Sequence, residues 1–231
     1  MDGVDLEAAR SRKIVVRNTP DDPTRAVAEL TLAYVLDLLR RVSLMDRELR
    51  SGVWKKRMGG LLLGKRLAVI GFGRIGRAVA ELFSRMGCEV GFWDPAVDSD
   101  VTVGDSTYRR MDKNSLLAWA DILSLHCAKP ADGCLVLDRE SIALMKKGAF
   151  LINAARGGLA DEDALAAALE NEMLAGAALD VFGREPYSGP LTKMDQVVLT
   201  PHIGSYAVES RVEMETQSVS NLLESLGAVS Q

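Results

Sequence analysis

Apolar residues along this chain fall into two patterns. Short apolar blocks occur at Leu67–Ile70, Glu89–Trp93, Asp121–His126, Ala149–Asn153, Gly176–Val181 and Val197–Leu199, each of a length suited to a buried strand. Between them, Ile75–Met86, Ser115–Ala120, Asp138–Met145 and Asp161–Asn171 carry apolar residues at helical spacing. Strand and helix in alternation predict an α/β fold, a doubly wound parallel sheet of Rossmann type with helices on both faces. An earlier apolar run, Lys13–Arg17, predicts an added edge strand.

Two longer segments flank this core. Asp21-Asp22-Pro23 offers an acidic cap and a proline at the first helical position, and Val27, Leu30, Tyr34, Leu38 and Leu39 follow at helical spacing. A helix over about 23–49 is predicted, ended by Ser51-Gly52. A last helix is predicted over about 205–226, with Val208, Val212, Leu222, Leu223 and Leu226 among its apolar positions. Internal repeats and flexible linkers are missing from the sequence, so residues 1–231 read as one domain.

Composition narrows the function classes. A chain of 231 residues can bury roughly 70 % of its unfolded surface and needs no staple. With 48 % hydrophobic and 26 % charged residues, disordered, collagenous and disulfide-scaffold readings are excluded. The net charge of -4 leaves no basic surplus for a phosphate backbone, which argues against a nucleic-acid partner. Cys88, Cys127 and Cys134 are odd in number and lack ligand spacing, so no metal is expected and the thiols read as free in a cytoplasmic setting. No apolar stretch reaches membrane-spanning length, and the acidic opening Met1–Asp5 is unlike a signal peptide.

Gly71-Phe72-Gly73-Arg74-Ile75-Gly76 follows the strand Leu67–Ile70 and opens a helix, the context in which a glycine-rich turn holds a dinucleotide. Gly71 makes the tight turn, Gly73 admits a pyrophosphate to the backbone, and Gly76 lets helix and strand pack closely. Arg74 either touches the pyrophosphate or is a solvated helix-start residue. Asp94 closes the second strand 18 residues after Gly76, where a carboxylate accepts from ribose hydroxyls. It would repel a 2'-phosphate, and Pro95-Ala96-Val97 supplies no arginine, so NAD is preferred to NADP.

Candidates for proton transfer are few. The two histidines, His126 and His202, both sit at predicted strand ends, and position alone does not separate them. Glu185 lies 17 residues before His202, on a neighbouring loop. The two read equally well as a proton-transfer pair or as a surface glutamate beside a structural histidine. Arg156, in Asn153-Ala-Ala-Arg-Gly-Gly158, is equally a bidentate carboxylate ligand or a cap in a glycine turn.

The ordered set Gly71–Gly76, Asp94, Asn153–Gly158, Asp180-Val-Phe-Gly-Arg-Glu-Pro186 and Thr200-Pro-His-Ile-Gly-Ser205 resembles the D-isomer-specific 2-hydroxyacid dehydrogenases, in particular their phosphoglycerate dehydrogenase and hydroxypyruvate reductase branch. The resemblance runs over the whole chain. It implies an NAD-dependent oxidoreductase acting on a D-2-hydroxy or 2-oxo acid of the 3-phosphoglycerate, glycerate or glyoxylate type. It also implies that His202 is the acid/base, Glu185 its carboxylate partner and Arg156 the substrate ligand. Asp180 matches the residue that holds the nicotinamide carboxamide. Ile75, Cys127 and Ala155 fall at cofactor-lining positions, and His126 is assigned no catalytic role.

The sequence departs from that family in two places. The sequence is expected to lack the family's N-terminal substrate domain, and Ala128 and Pro130 stand where the family often has proline and threonine. The first departure leaves an alternative, an NAD(H)-binding regulatory module or a silent cofactor domain. It also predicts a sticky apolar face on the two long helices. Family members pair through the first helix and the arm after it, here including Trp54 and Leu61–Leu63, which implies a homodimer.

Overall fold

The computed structural model describes residues 4–19, 23–130 and 132–227. After α1 (Leu6–Ser11), α2 (Pro23–Arg40) and α3 (Val42–Arg50), the chain enters β1 (Arg66–Ile70), α4 (Arg74–Arg85) and β2 (Glu89–Trp93). Then come β3 (Val101–Val103), β4 (Ser106–Arg110), α5 (Lys113–Trp119), β5 (Ile122–Leu125), α6 (Arg139–Ala143) and β6 (Ala149–Asn153). The path closes with α7 (Glu162–Glu170), β7 (Leu174–Leu179), β8 (Val197–Leu199) and α8 (Val208–Ser225).

Among the described residues the eight strands form one sheet in the order β3-β4-β2-β1-β5-β6-β7-β8. Every pairing is parallel except β3 with β4. Alternation along β1 shows why both faces are covered. Leu67 and Val69 enter the core with Val35 of α2 and Phe83 of α4, whereas Ala68 and Ile70 enter the opposite core with Leu117 of α5 and Leu165 of α7. A parallel strand buried on both sides must be apolar at successive positions, which is why the block pattern was legible. The order reverses between β1 and β5, so their carboxyl ends open the crevice where such sheets bind ligands.

Several expected boundaries change. The helix expected over 23–49 is two helices, because Arg41 adopts a left-handed conformation (φ 54°). Asp37 reaches past the break and accepts from the Ser43 amide at 2.7 Å and from the Ser43 hydroxyl, which starts α3 on a new axis. The acidic cap at Asp21 and Asp22 lies outside the described residues. Lys13–Arg17 is not a strand: it pairs with no ladder, and Ile14 and Val15 are exposed. The final helix starts at Val208 rather than 205. A hairpin, β3 and β4 around Gly104-Asp105, was not expected from the apolar pattern, since β3 is only three residues long and β4 is polar apart from Tyr108.

The apolar face expected on both long helices is found on α8 alone, because α2 buries Val27, Val35, Leu38 and Leu39 in the core. No residue of α8 is buried, and Val208, Val212, Val219 and Leu222 are exposed along it. Trp54, Met58, Leu61 and Leu63 form a second exposed apolar stretch after α3. No helix among the described residues is long and apolar enough to cross a membrane.

Candidate functional site

The glycine-rich turn joins β1 to α4. Gly71 has φ 92°, and a Cβ there would stand 2.5 Å from the Cys127 amide nitrogen; one at Gly76 would stand 2.1 Å from the Gly71 oxygen. Both positions therefore require glycine. Gly73 is different, because a Cβ there meets nothing within 4 Å. It is the N-cap of α4 and supplies no side-chain acceptor, so open space faces the positive end of a twelve-residue helix. A pyrophosphate fits such a cradle.

Asp94 stands just beyond β2. Its Oδ2 accepts from the Phe72 amide at 2.7 Å and its Oδ1 from the Ala96 amide at 2.8 Å, so the carboxylate braces the glycine turn. Each oxygen keeps a lone pair for a hydroxyl. The window 95–97 holds no arginine, yet β4 lays Arg110 against the Val97 carbonyl, with Nε at 3.1 Å. Only the pairing of β4 with β2 brings that guanidinium to the turn.

Both histidines line the same cleft, but their surroundings differ. Burial pushes His126 down to about 3, so its ring is neutral at ordinary pH, with Nε2 2.8 Å from the Ser124 hydroxyl. Burial also raises the Cys127 thiol to about 11, with the Asp94 charge adding to the effect, so Cys127 packs as a neutral wall. His202 is half exposed, and its Nδ1 lies 3.2 Å from Glu185 Oε2. Glu185 Oε1 accepts from the Phe182 amide at 3.1 Å. Burial works to raise the Glu185 carboxyl, but the His202 hydrogen bond, the Phe182 amide and the His202 charge outweigh it and hold the group below the usual glutamate range.

Arg156 follows β6. A Cβ at Gly157 would stand 1.7 Å from the Phe182 oxygen, so the loop after β6 can lie against the loop after β7 only with glycine there. Asn153 shapes the turn, donating from Nδ2 to the Arg156 carbonyl at 3.0 Å. Asp180, just after β7, is wholly buried and accepts from the Ile203 and Gly204 amides at 2.8 and 2.7 Å. Thr200 and Tyr34 hydroxyls also point to its Oδ1.

One cleft of about 910 Å³ collects these groups: Arg74, Ile75, Cys127, Ala155, Arg156, Asp180, Glu185 and His202 all line it. Gly71, Gly73, Gly76 and Asp94 frame the adjoining turn. Sequence reasoning did not single out Tyr34, Thr200 or Arg110. Tyr34 looked like one more apolar helix position, and no signal in the sequence joined it to Asp180.

A dinucleotide-binding sheet with an imidazole, a carboxylate and a guanidinium in one cleft defines the class of an NAD-linked oxidoreductase domain. The profile of the D-isomer specific 2-hydroxyacid dehydrogenase NAD binding domain matches residues 32–204, and the chain belongs to that family. It is 38% identical over 230 residues to a glyoxylate reductase of Thermofilum pendens, covering 96% of this chain and 68% of that protein. It is 40% identical over 216 residues to a D-3-phosphoglycerate dehydrogenase of Haemophilus influenzae, covering 90% of this chain and 52% of the relative. The crystal structure of a Thermus thermophilus protein superposes with a TM-score of 0.90 at 40% identity, over 99% of this chain and 73% of that one.

Proposed function

We propose that this chain carries the cofactor-binding and acid/base machinery of an NAD-dependent D-2-hydroxyacid dehydrogenase. Its substrate would be a small 2-hydroxy or 2-oxo acid of the glyoxylate, glycerate or 3-phosphoglycerate type. The observation that carries this reading is the approach of His202 to Glu185 at 3.2 Å in the cleft that Arg156 also lines.

NAD, when bound, would supply hydride chemistry at C2 of the substrate. The glycine turn and the α4 terminus, with Arg74 and Ile75, would hold its pyrophosphate, and Asp94 would take the ribose hydroxyls. Asp180, which lines the cleft, would hold the carboxamide. Cys127 and Ala155 wall the pocket. Arg156 grips the substrate carboxylate and steadies charge on the reacting oxygen. His202 Nδ1 faces Glu185, so Nε2 is the atom that takes the hydroxyl proton during oxidation and returns it during reduction. Glu185, ionised at neutral pH, stabilises the imidazolium that forms.

Residues 1–231 then act as one dinucleotide-binding domain. The exposed stretch of Trp54, Met58, Leu61 and Leu63 supports a homodimer through α2 and this arm. The three free thiols support a cytoplasmic setting.

NADH oxidation with glyoxylate, hydroxypyruvate and 3-phosphohydroxypyruvate, alongside NADH titration, tests the reading. Turnover with one of them is expected. Tight NADH binding without turnover would make the chain a cofactor-binding module instead.

A further inference from the structure

A buried polar cluster centres on Asp180, which also lines the cleft. Asp180 is fully buried, and its donors among the described residues are all neutral: the Ile203 and Gly204 amides and the Thr200 and Tyr34 hydroxyls. A carboxylate buried beside neutral groups depends on those hydrogen bonds for its stability. The same bonds grip the chain on both sides of His202. Ile203 and Gly204 follow it, Thr200 precedes it, and the His202 amide itself donates to the Asp180 carbonyl at 2.9 Å.

His202 needs such a grip because its φ is 57°, in the left-handed region that a residue with a side chain adopts only when its surroundings impose it. Tyr34 completes the surroundings from the middle of α2, with its ring buried in the core. Its hydroxyl meets Thr200 Oγ1 and lies 3.3 Å from Asp180 Oδ1. The Tyr34 and Thr200 hydroxyls and Asp180 Oδ1 thus form one hydrogen-bonded triangle, in which Asp180 accepts and either hydroxyl can donate to the other. Burial above all, with the charge of Asp180 adding to it, drives the Tyr34 phenol far above its ordinary range, so it keeps its proton at every working pH.

We propose that Tyr34 is a positioning residue: its hydroxyl, acting through Thr200 and Asp180, sets where the His202 ring stands against Glu185. The inference rests on the acid/base role proposed for His202. Packing alone does not call for the hydroxyl, since a phenylalanine fills the same space. The His202–Glu185 contact at 3.2 Å is at the long end of the hydrogen-bond range, so a small movement of the Thr200–Gly204 loop changes it greatly.

The test compares the full chain with Tyr34→Phe, Thr200→Val, Thr200→Ser and the Tyr34→Phe/Thr200→Val double variant. Turnover of hydroxypyruvate, NADH Kd and the ring-proton resonances of the two histidines are the readouts. Tyr34→Phe should lower kcat by about tenfold while leaving KM and NADH Kd within about twofold. It should move the His202 resonances and leave those of His126 in place. The double variant should lose no more kcat than Thr200→Val alone, because both changes cut one chain of bonds. Thr200→Ser, which keeps the hydroxyl, should retain the kcat that Thr200→Val loses. If Tyr34→Phe folds with unchanged kcat and unmoved His202 resonances, the proposal is overturned. It is also overturned if Thr200→Ser and Thr200→Val behave alike. Should the unaltered chain show no turnover, the functional reading fails by itself. The resonances then decide: movement in Tyr34→Phe supports the positioning role, and none rejects it.

Discussion

His202 and Glu185, 17 residues apart in the chain, meet at 3.2 Å because the loops after β7 and β8 leave neighbouring parallel strands at the same edge of the sheet. Glu185 is also fixed by the Phe182 amide, so it presents its second oxygen to the ring without spending its own freedom each time. His202→Asn should lower kcat by about 10²–10⁴-fold, the usual worth of a positioned acid/base, and leave NADH affinity unchanged. Steady-state kinetics with NADH titration read both quantities, and an equal loss in each contradicts the role.

The same pair has a definite pH response. The folded protein holds the Glu185 carboxyl below its ordinary range, so the pairing contributes stability above the unfolded pKa of about 4.3 and loses it as pH falls through the lowered folded value. Glu185→Gln should therefore reduce kcat at neutral pH by on the order of tenfold or more. Its melting temperature should converge with that of the unaltered chain under acid conditions. A melting-temperature difference that grows toward low pH contradicts this sign.

Arg156 tests substrate anchoring. Arg156→Lys keeps the charge but loses the planar fork, so KM for a 2-oxo acid should rise by about 10- to 100-fold. NADH Kd, read by fluorescence, should change little. If KM stays put while NADH binding collapses, Arg156 belongs to the cofactor.

Asp94 tests cofactor choice. Asp94→Ser removes the charge that faces a 2'-phosphate and leaves Arg110 nearby on the Val97 carbonyl. The NADH over NADPH preference should fall by on the order of tenfold, about 1.4 kcal/mol. Losing the bond to the Phe72 amide should also destabilise the fold by about 1 kcal/mol. Comparing Kd for the two cofactors isolates the first effect, and an unchanged ratio counts against the ribose role.

Asp121 tests the scaffold. It accepts from the Arg66 amide at 3.0 Å and pairs with Lys146 at 2.5 Å, tying β1, β5 and the start of β6 at the end of the sheet away from the cleft. Partial burial works to raise its carboxyl, but the bonds and charges of Lys146 and Arg66 more than offset it and hold it low. Asp121→Asn should lose about 1–2 kcal/mol at pH 7 in urea unfolding, discounted for the exposure of Lys146. That loss should shrink as pH falls below the unfolded aspartate value of about 3.9. Activity per folded molecule should not change.

The sequence by itself determined the alternation of strand and helix, the glycine turn, and the strand ends where the chemistry gathers. Those features follow from periodicity and from backbone positions that exclude a Cβ, and both are local properties of the chain. Tertiary structure decided what depends on neighbours through space. Local chemistry could not rank His126 against His202, and their different burial and partners do so. The break at Arg41, the unpaired Lys13–Arg17 and the β3–β4 hairpin depend on which groups find partners at the sheet edge and along α2. Tyr34 sits at an ordinary helical spacing, and only the placement of α2 against the ends of β7 and β8 makes its hydroxyl part of the Asp180 cluster. Desolvation and hydrogen bonding act between groups brought together by folding, so a linear pattern can nominate such residues but cannot assign their partners.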